Sequence, residues 1–466
     1  MTILDAMNDP ALFGPWFKGD SWAAWRAFLA GLFGLPMDTD AEAVYRQHTG
    51  RSVLPSAPAR EAWVCVGRRG GKSIIAAAAA VFLACFRDYR DVLAPGEVGT
   101  LAIIAADRRQ ARTIMRYIVG FLDTVPMLKA MVLSQTRETI ELSNRVVIEI
   151  HTASFRSTRG YTLIGVVCDE IAFWLADEAG ANPDVEILNG LRPGMATVPG
   201  ALLLGISSPY ARRGILWESF RKHYGKDGDP VLVWQAPTQA MNPSVDPQVI
   251  ADAYEEDETS ASAEYGAEFR RDIENFVSRE VIEACTIPDR YDLPPAWGIT
   301  YRAFTDPSGG SRDSFTLAIA HDVEGGTIVD ALRETKPPFS PADVVKVYAE
   351  LLKVYRVTSV TGDRYAGEWP RERFRENGIS YDVCEKVKSD LYRDLLPLLT
   401  STQIELPDNS RLKGQLCGLE RRTARGGRDS IDHAPRGFDD LGNAVAGVVV
   451  MRRIGRGSYS VTPLVM

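Results

Sequence analysis

The stretch Trp63-Val64-Cys65-Val66-Gly67-Arg68-Arg69-Gly70-Gly71-Lys72-Ser73, followed by Ile74-Ile75 and alanines from Ala76 to Ala80, constrains this chain more than any other. An apolar strand, a glycine-bearing turn ending in Gly-Lys-Ser and an Ala-rich helix are the parts of a phosphate cradle. In such a cradle the backbone N–H groups around Gly67, Gly70 and Gly71 and the helix N-terminus hold phosphate oxygens, Lys72 reaches the outer phosphates, and the Ser73 hydroxyl ligates Mg²⁺. The pattern reads as an ATP site. It departs from the strict form G-x-x-x-x-G-K-[ST] in one respect: Val66 stands where the first glycine is expected, and Gly67 comes one residue late.

At 466 residues the chain is too long for one ordinary core, and two or three domains are expected. A 45% hydrophobic and 24% charged composition is that of a globular protein. No apolar run approaches a membrane span, and the mixed start from Met1 to Pro10 lacks a signal-peptide layout, so a cytoplasmic location is expected. The six cysteines are scattered without a C-x-x-C pair and the five histidines form no ligand spacing, which points to reduced thiols and away from structural zinc. A net charge of −8 argues against a protein that coats nucleic acid. It leaves room for a local basic face built from pairs such as Arg68-Arg69, Arg108-Arg109, Arg212-Arg213, Arg270-Arg271 and Arg421-Arg422.

Along residues 1–60, Trp16, Trp22, Trp25 and Phe28 have helix-like spacing and read as packing; the stretch Tyr45 to Gln47, with Gln47 the named residue, is a candidate contact to a nucleotide base. After the phosphate-loop helix, Thr100 to Ala106 followed by a helical pattern from Ala111 makes a second strand-to-helix unit, which favours a parallel sheet covered by helices. A further strand, Val146 to Ile150, leads into a polar loop carrying Arg156 and Arg159. Next, Leu163 to Cys168 is a buried-strand run ending in Asp169-Glu170, the Walker B arrangement at the strand end where α/β sheets bind ligands. Asp169 there helps hold Mg²⁺, and Glu170 orients and deprotonates the attacking water. The strand Ala201 to Ile206 closes on Ser207-Ser208, the place of a γ-phosphate sensor. Residues 255–274 read as charged and helical, and 288–295 break every regular pattern, so the domain boundary is placed near there.

The second domain opens on a strand ending at Asp306, followed by two more strand patterns, Ser314 to His321 and Gly326 to Leu332. Three antiparallel strands with a lone Asp near the end of the first are how an RNase H-like core begins. A helix from Pro341 to Tyr355 and a strand, Thr358 to Gly362, lead to Asp363; near the end Phe438-Asp439-Asp440-Leu441 starts an apolar helix. Acids at the first strand, the fourth strand and a late helix fit a site in which carboxylates clamp two Mg²⁺ or Mn²⁺ ions.

Taken in order, Gly67 to Ser73, Val166 to Glu170, Gly205 to Ser208, Thr305-Asp306, Thr361 to Asp363 and Phe438 to Leu441 resemble the large terminase subunit of tailed bacteriophages, over nearly the whole chain. The off-pattern phosphate loop is similar to the deviant Walker A motif of that family. The resemblance implies an α/β chain with a helicase-like, additional-strand P-loop ATPase domain on a parallel-rich sheet and a C-terminal RNase H-like nuclease domain. The expected divisions are a helical segment at 1–60, the ATPase at 61–275, a linker at 276–297 and the nuclease at 298–466. It implies that Arg68 or Arg69 contacts the γ-phosphate, that Ser207 and Ser208 form the coupling motif, and that Arg156 and Arg159 supply a finger to a neighbouring subunit. It further implies ATP with Mg²⁺ at one site and two Mg²⁺ or Mn²⁺ at the other, where Asp306 and Asp363 are joined by Asp439 or Asp440. Many relatives carry an acid where Asn443 stands. The implied partners are double-stranded DNA, a portal protein, a small terminase subunit and copies of this chain in a ring, in the host cytoplasm and at the procapsid. The residues alone leave two other readings, a repair or defence helicase-nuclease and a scaffold ATPase whose RNase H-like domain only binds DNA.

Overall fold

The computed structural model describes residues 1–153, 160–174, 183–311, 313–363, 369–423, 429–434 and 437–451. The chain divides into two compact units, the described residues up to Glu274 forming the first and those from Asn275 the second.

The first unit is built on eight strands: β1 (Glu61–Val66), β2 (Gly99–Ala105), β3 (Val132–Gln135), β4 (Thr139–Leu142), β5 (Val146–Thr152), β6 (Thr162–Asp169), β7 (Leu202–Ser207) and β8 (Val231–Ala236). Their order is β3-β4-β5-β2-β6-β7-β1-β8. From β5 to β8 all neighbours are parallel, and only β3 and β4 join as antiparallel edge strands. The parallel strands read as continuous apolar runs because helices cover both faces. β7 lies between β1, which feeds the phosphate loop, and β6, which ends in Asp169. That is the additional-strand arrangement, and it brings the ends of β1, β7 and β6 side by side.

Five helices begin this unit: α1 (Ile3–Asn8), α2 (Ala23–Phe33), α3 (Thr39–Thr49), α4 (Lys72–Phe86) and α5 (Arg108–Thr124). Residues Ala76 to Ala84 of α4 are all buried, so the alanine run lets that helix lie close on the sheet. The tryptophan stripe is packing, as its spacing suggests: Trp25 and Phe28 are buried in the same core as Val64 and Trp234.

The second unit holds a six-stranded sheet in the order Ser380–Val383, Ser359–Gly362, Tyr301–Asp306, Phe315–Val323, Gly326–Thr335, Ile404–Glu405. The three strands running from Tyr301 to Thr335 are antiparallel, and the outer ones add in parallel, the RNase H-like order expected. The stretch 276–297, expected as a linker, differs from that expectation. It carries a helix, Arg279–Cys285, and buries Phe276, Val277, Ile282 and Cys285 in the core of this unit, because those apolar side chains have surface to remove from water. The pattern-breaking prolines at 288–295 do lack helix and strand, and the helical expectation for 255–274 holds only as far as Glu264.

The helix Asp440–Val450 lies against the strand that ends in Asp306, with Gly447 over the ring of Phe304. A Cβ at Gly447 would sit 2.3 Å from that ring. Gly447→Ala is therefore expected to destabilise this unit by about 1–3 kcal/mol, through overpacking. Gly120→Ala in α5, where an added Cβ meets nothing within 4 Å, is expected to be neutral or slightly stabilising. Thermal unfolding of the two variants beside the unaltered chain checks both.

Candidate functional sites

The phosphate loop is held from many directions. Gly71 sits at φ 94° and Arg69 at φ 66°, conformations that open the turn toward the start of α4. Trp25 Nε1 donates to the Gly70 carbonyl (2.8 Å), Thr238 Oγ1 to the Arg68 carbonyl (2.8 Å), and Asn242 Nδ2 to the Arg69 carbonyl (2.8 Å). Gly67 leaves no room for a side chain, since a Cβ there would lie 2.3 Å from Thr238 Oγ1. The glycine that comes one residue late thus has a packing reason of its own.

Lys72 is only 7% exposed. Its Nζ donates to the carbonyls of Val66 (2.8 Å) and Gly67 (3.2 Å) and to Ser208 Oγ (3.0 Å). Burial pushes its pKa down, with Glu170 and Asp169 opposing. Asp169 is buried and its carboxyl is pushed up to about 7, first by desolvation and then by the adjacent Glu170, against the pull of Lys72. Glu170 adopts φ 48°, a left-handed conformation unusual for a non-glycine residue. Ser207 Oγ donates to Glu170 Oε2 (3.0 Å), and the Ser208 N–H approaches the same oxygen at 3.4 Å. One strand end therefore touches both Lys72 and Glu170. A buried ammonium beside two carboxylates, at a helix N-terminus with its glycines, fits a nucleotide with its divalent ion.

Of the other residues singled out in this unit, Ser73 is half-buried on the first turn of α4. Arg68 pairs with Glu264 at 3.0 Å, and Arg69 is exposed. Gln47 is exposed on α3, and among the described residues no hydrogen bond or ion pair joins it to the loop. Arg156 and Arg159 lie outside the described residues.

In the second unit a cavity of about 670 Å³ is lined by Asp306, Asp363, Asp439, Asp440 and Asn443, among others. Asp306 ends its strand, and Asp363 follows the adjacent parallel strand, its N–H bonded to the Thr305 carbonyl (3.3 Å). Asn443, one turn into the helix Asp440–Val450, clips the two together: its Nδ2 donates to Asp306 Oδ2 (2.8 Å) and to Asp363 Oδ2 (3.0 Å). Asn443 is fully buried, and among the described residues its Oδ1 has no hydrogen-bond partner. Asp306 is pushed well above the carboxylate range by desolvation, then by the charges of Asp363, Asp440 and Asp439, with the Asn443 amide working against them. Acids crowded around one amide, with an orphaned buried carbonyl oxygen beside them, make an all-oxygen donor set that fits a hard divalent cation.

Asp439 and Asp440, left as alternatives by the sequence, take different positions. Asp440 accepts from the Ser314 N–H (3.2 Å), and burial raises its carboxyl to about 6. Asp439 stands at the helix N-cap but does not cap. Gln415 Oε1 accepts from the Leu441 and Gly442 N–H groups instead, which leaves the Asp439 carboxylate to Tyr392 Oη (2.9 Å) and Lys388 Nζ (3.0 Å). Lys388 also pairs with Asp432 at 2.7 Å. Burial acts against its charge, but Asp439 and Asp432 overcome this and hold the ammonium above the usual lysine range. Sequence reasoning missed Lys388, Tyr392, Asp432 and Gln415, and treated Asn443 only as a departure from pattern. His433, set aside because the histidines form no ligand spacing, lies with Asp432 and Asp439 in one group of potential ligands. The short step Asp432-His433 to Asp439 was the signal available.

The Asp169 shift has a testable sign. Its folded pKa, about 7, is above the ordinary 3.8, so the nucleotide-free fold binds a proton that the unfolded chain releases, and stability falls as pH rises from about 4 to 7. Asp169→Asn is expected to raise the thermal midpoint at pH 8, to raise it much less at pH 5, and to abolish ATP turnover. Calorimetry at the two pH values checks the first two outcomes.

No protein-family model matches the sequence, and no curated protein matches it. Among solved structures the chain is similar to the HK97 bacteriophage large terminase, at 17% identity and TM-score 0.38, covering 92% of this chain and 99% of that one. It is similar to the large terminase of a thermophilic bacteriophage, at 13% identity and TM-score 0.38, covering 89% of this chain and 98% of that one. The large terminase nuclease of thermophilic phage G20c matches at 18% identity and TM-score 0.34, covering 38% of this chain and 97% of that one. Among the described residues no helix is long and apolar enough to cross a membrane.

Proposed function

We propose that this chain is the large terminase subunit of a tailed phage, an ATPase that drives double-stranded DNA into a procapsid and a metal-dependent endonuclease that cuts concatemeric DNA. The observation that carries the reading is that one chain holds both an additional-strand phosphate site and, on its RNase H-like sheet, a separate acidic cleft.

At the first site the geometry supports the following roles. Lys72 exchanges its present partners for the outer phosphates, with the N-terminus of α4 and Ser73 beneath them. Asp169 lies where it would hold Mg²⁺, which when bound neutralises phosphate charge. Glu170 orients the attacking water and takes its proton, and the Ser207 hydroxyl fixes that carboxylate. Because Ser208 now accepts from Lys72, loss of that bond on nucleotide binding gives β7 a way to sense occupancy. Arg68 would leave Glu264 to approach the γ-phosphate, with Arg69 as the other loop candidate.

At the second site Asp306, Asp363 and the Asn443 amide would hold a divalent ion, Mg²⁺ or Mn²⁺, that activates water and steadies the phosphate of the cut strand. Of the two late acids, Asp440 is the candidate for a further ligand, since Asp439 is paired with Lys388. DNA binding rests on phosphate contacts and is salt-sensitive. Portal protein, small subunit and a ring of copies complete the proposed machine. A second reading, an RNase H-like unit that binds DNA without cutting it, draws on the amide of Asn443 standing among the carboxylates.

Plasmid cleavage with Mn²⁺ or Mg²⁺, with ATP turnover recorded on the same samples, separates these readings. Asp363→Ala is expected to abolish cutting and spare ATP turnover, and Lys72→Ala to do the reverse. Glu170→Gln should lower turnover by about 10²–10⁴-fold while nucleotide still binds. Loss of both activities in a folded Asp363→Ala variant would sink the two-site model, and absence of cutting by the unaltered chain under either metal would favour the DNA-binding reading.

A further inference from the structure

Three groups beside the acidic cleft are arranged as a metal site is, yet a side chain already fills it. Asp432, His433 and Asp439 each offer a ligand atom, all within 4.8 Å of one another. Their supports are of the kind that orients metal ligands. His433 Nδ1 lies 2.8 Å from the Ala434 carbonyl, an acceptor, so the proton belongs on Nδ1 and the lone pair on Nε2. Tyr392 Oη donates to Asp439 Oδ2 and orients that carboxylate. Between the two carboxylates stands the Lys388 ammonium, 2.7 Å from Asp432 and 3.0 Å from Asp439. Lys388, His433 and Asp439 line the same cavity as Asp306, Asp363 and Asn443. In the same lining, the fully buried Asn443 Oδ1 has no partner among the described residues, while its Nδ2 joins Asp306 to Asp363.

We propose that Lys388 is a built-in cation standing in for a second divalent ion, so that the cleft loads one ion, at Asp306, Asp363 and Asn443, and uses the ammonium as its other positive centre. The inference rests on the nuclease reading and changes its stoichiometry. It gives the cleft a fixed positive charge whatever its metal state. It also explains why Asp439 is turned away from capping its helix. Replacing the ammonium with an uncharged chain of similar length leaves two carboxylates and an imidazole nitrogen facing one gap, a donor set that suits Mn²⁺ or Zn²⁺.

Counting bound Mn²⁺ by electron paramagnetic resonance on the full chain, without nucleotide or DNA, tests this directly. The cleft's share is the number of ions lost in the Asp306→Ala/Asp363→Ala double variant. The expected result is a single ion for the unaltered chain. Lys388→Met is expected to gain one more, with nitrogen coupling from an imidazole that disappears when His433→Ala is added. Two cleft ions in the unaltered chain would overturn the inference and leave the nuclease reading standing, and so would a folded Lys388→Met variant that gains none. No cleft ion at all would remove the nuclease reading itself. The count on the unaltered chain decides the matter even if Lys388→Met fails to fold.

Discussion

A lysine ammonium taken almost wholly out of water must be compensated within a few ångströms, and the arrangement of the first unit follows from how Lys72 meets that demand. Its donors go to two carbonyls of the turn it closes and to the hydroxyl of Ser208, with Asp169 and Glu170 supplying opposite charge. The carbonyls are available because the turn is held open from outside by Trp25, Thr238 and Asn242. The carboxylates are available because β7 separates β1 from β6 and sets their ends apart by one strand. None of these contacts stabilises the fold strongly by itself; together they keep a charged group buried at the turn between β1 and α4.

The second unit faces the opposite problem, too many carboxylates in one cleft. It answers with neutral and cationic donors. The Asn443 amide joins Asp306 to Asp363, a backbone N–H serves Asp440, and Lys388 with Tyr392 serves Asp439. The residual frustration stays on Asp306, whose carboxyl is pushed well up. Sites prepared for a strongly charged ligand keep such unfinished electrostatics, because full internal compensation would remove the reason to bind.

How much of this was legible beforehand depended on how local each constraint is. The strands β1, β2, β6 and β7, the helix after the phosphate loop and the three antiparallel strands from Tyr301 onward were readable, since apolar runs and turn residues are properties of adjacent positions. The order β6-β7-β1 entered only by resemblance, because sheet order is set by crossovers that no local pattern records. The stretch 276–297 was misjudged for a related reason: the prolines at 288–295 were visible, but the burial of Phe276, Val277, Ile282 and Cys285 is a tertiary fact. In the cleft, Asp306 and Asp363 stood out as acids at strand ends. Lys388 did not, because a lysine at the start of a helix reads as surface charge until Asp432 and Asp439 are brought to it by the fold.

Asn443 shows what a single non-acidic residue changes. An aspartate at this position would put a third negative charge within hydrogen-bonding distance of two others, and the cleft would then need a cation simply to remain closed. The amide removes that need, since one Nδ2 supplies a donor to each carboxylate. The cleft can therefore hold its shape without an ion, with one fewer formal charge among its acids. A fixed ammonium nearby fits that lower charge. Lys388 meets the acid charge of Asp439 and Asp432, as the Asn443 amide meets that of Asp306 and Asp363. Asn443 and Lys388 are, on this argument, one adaptation in two residues.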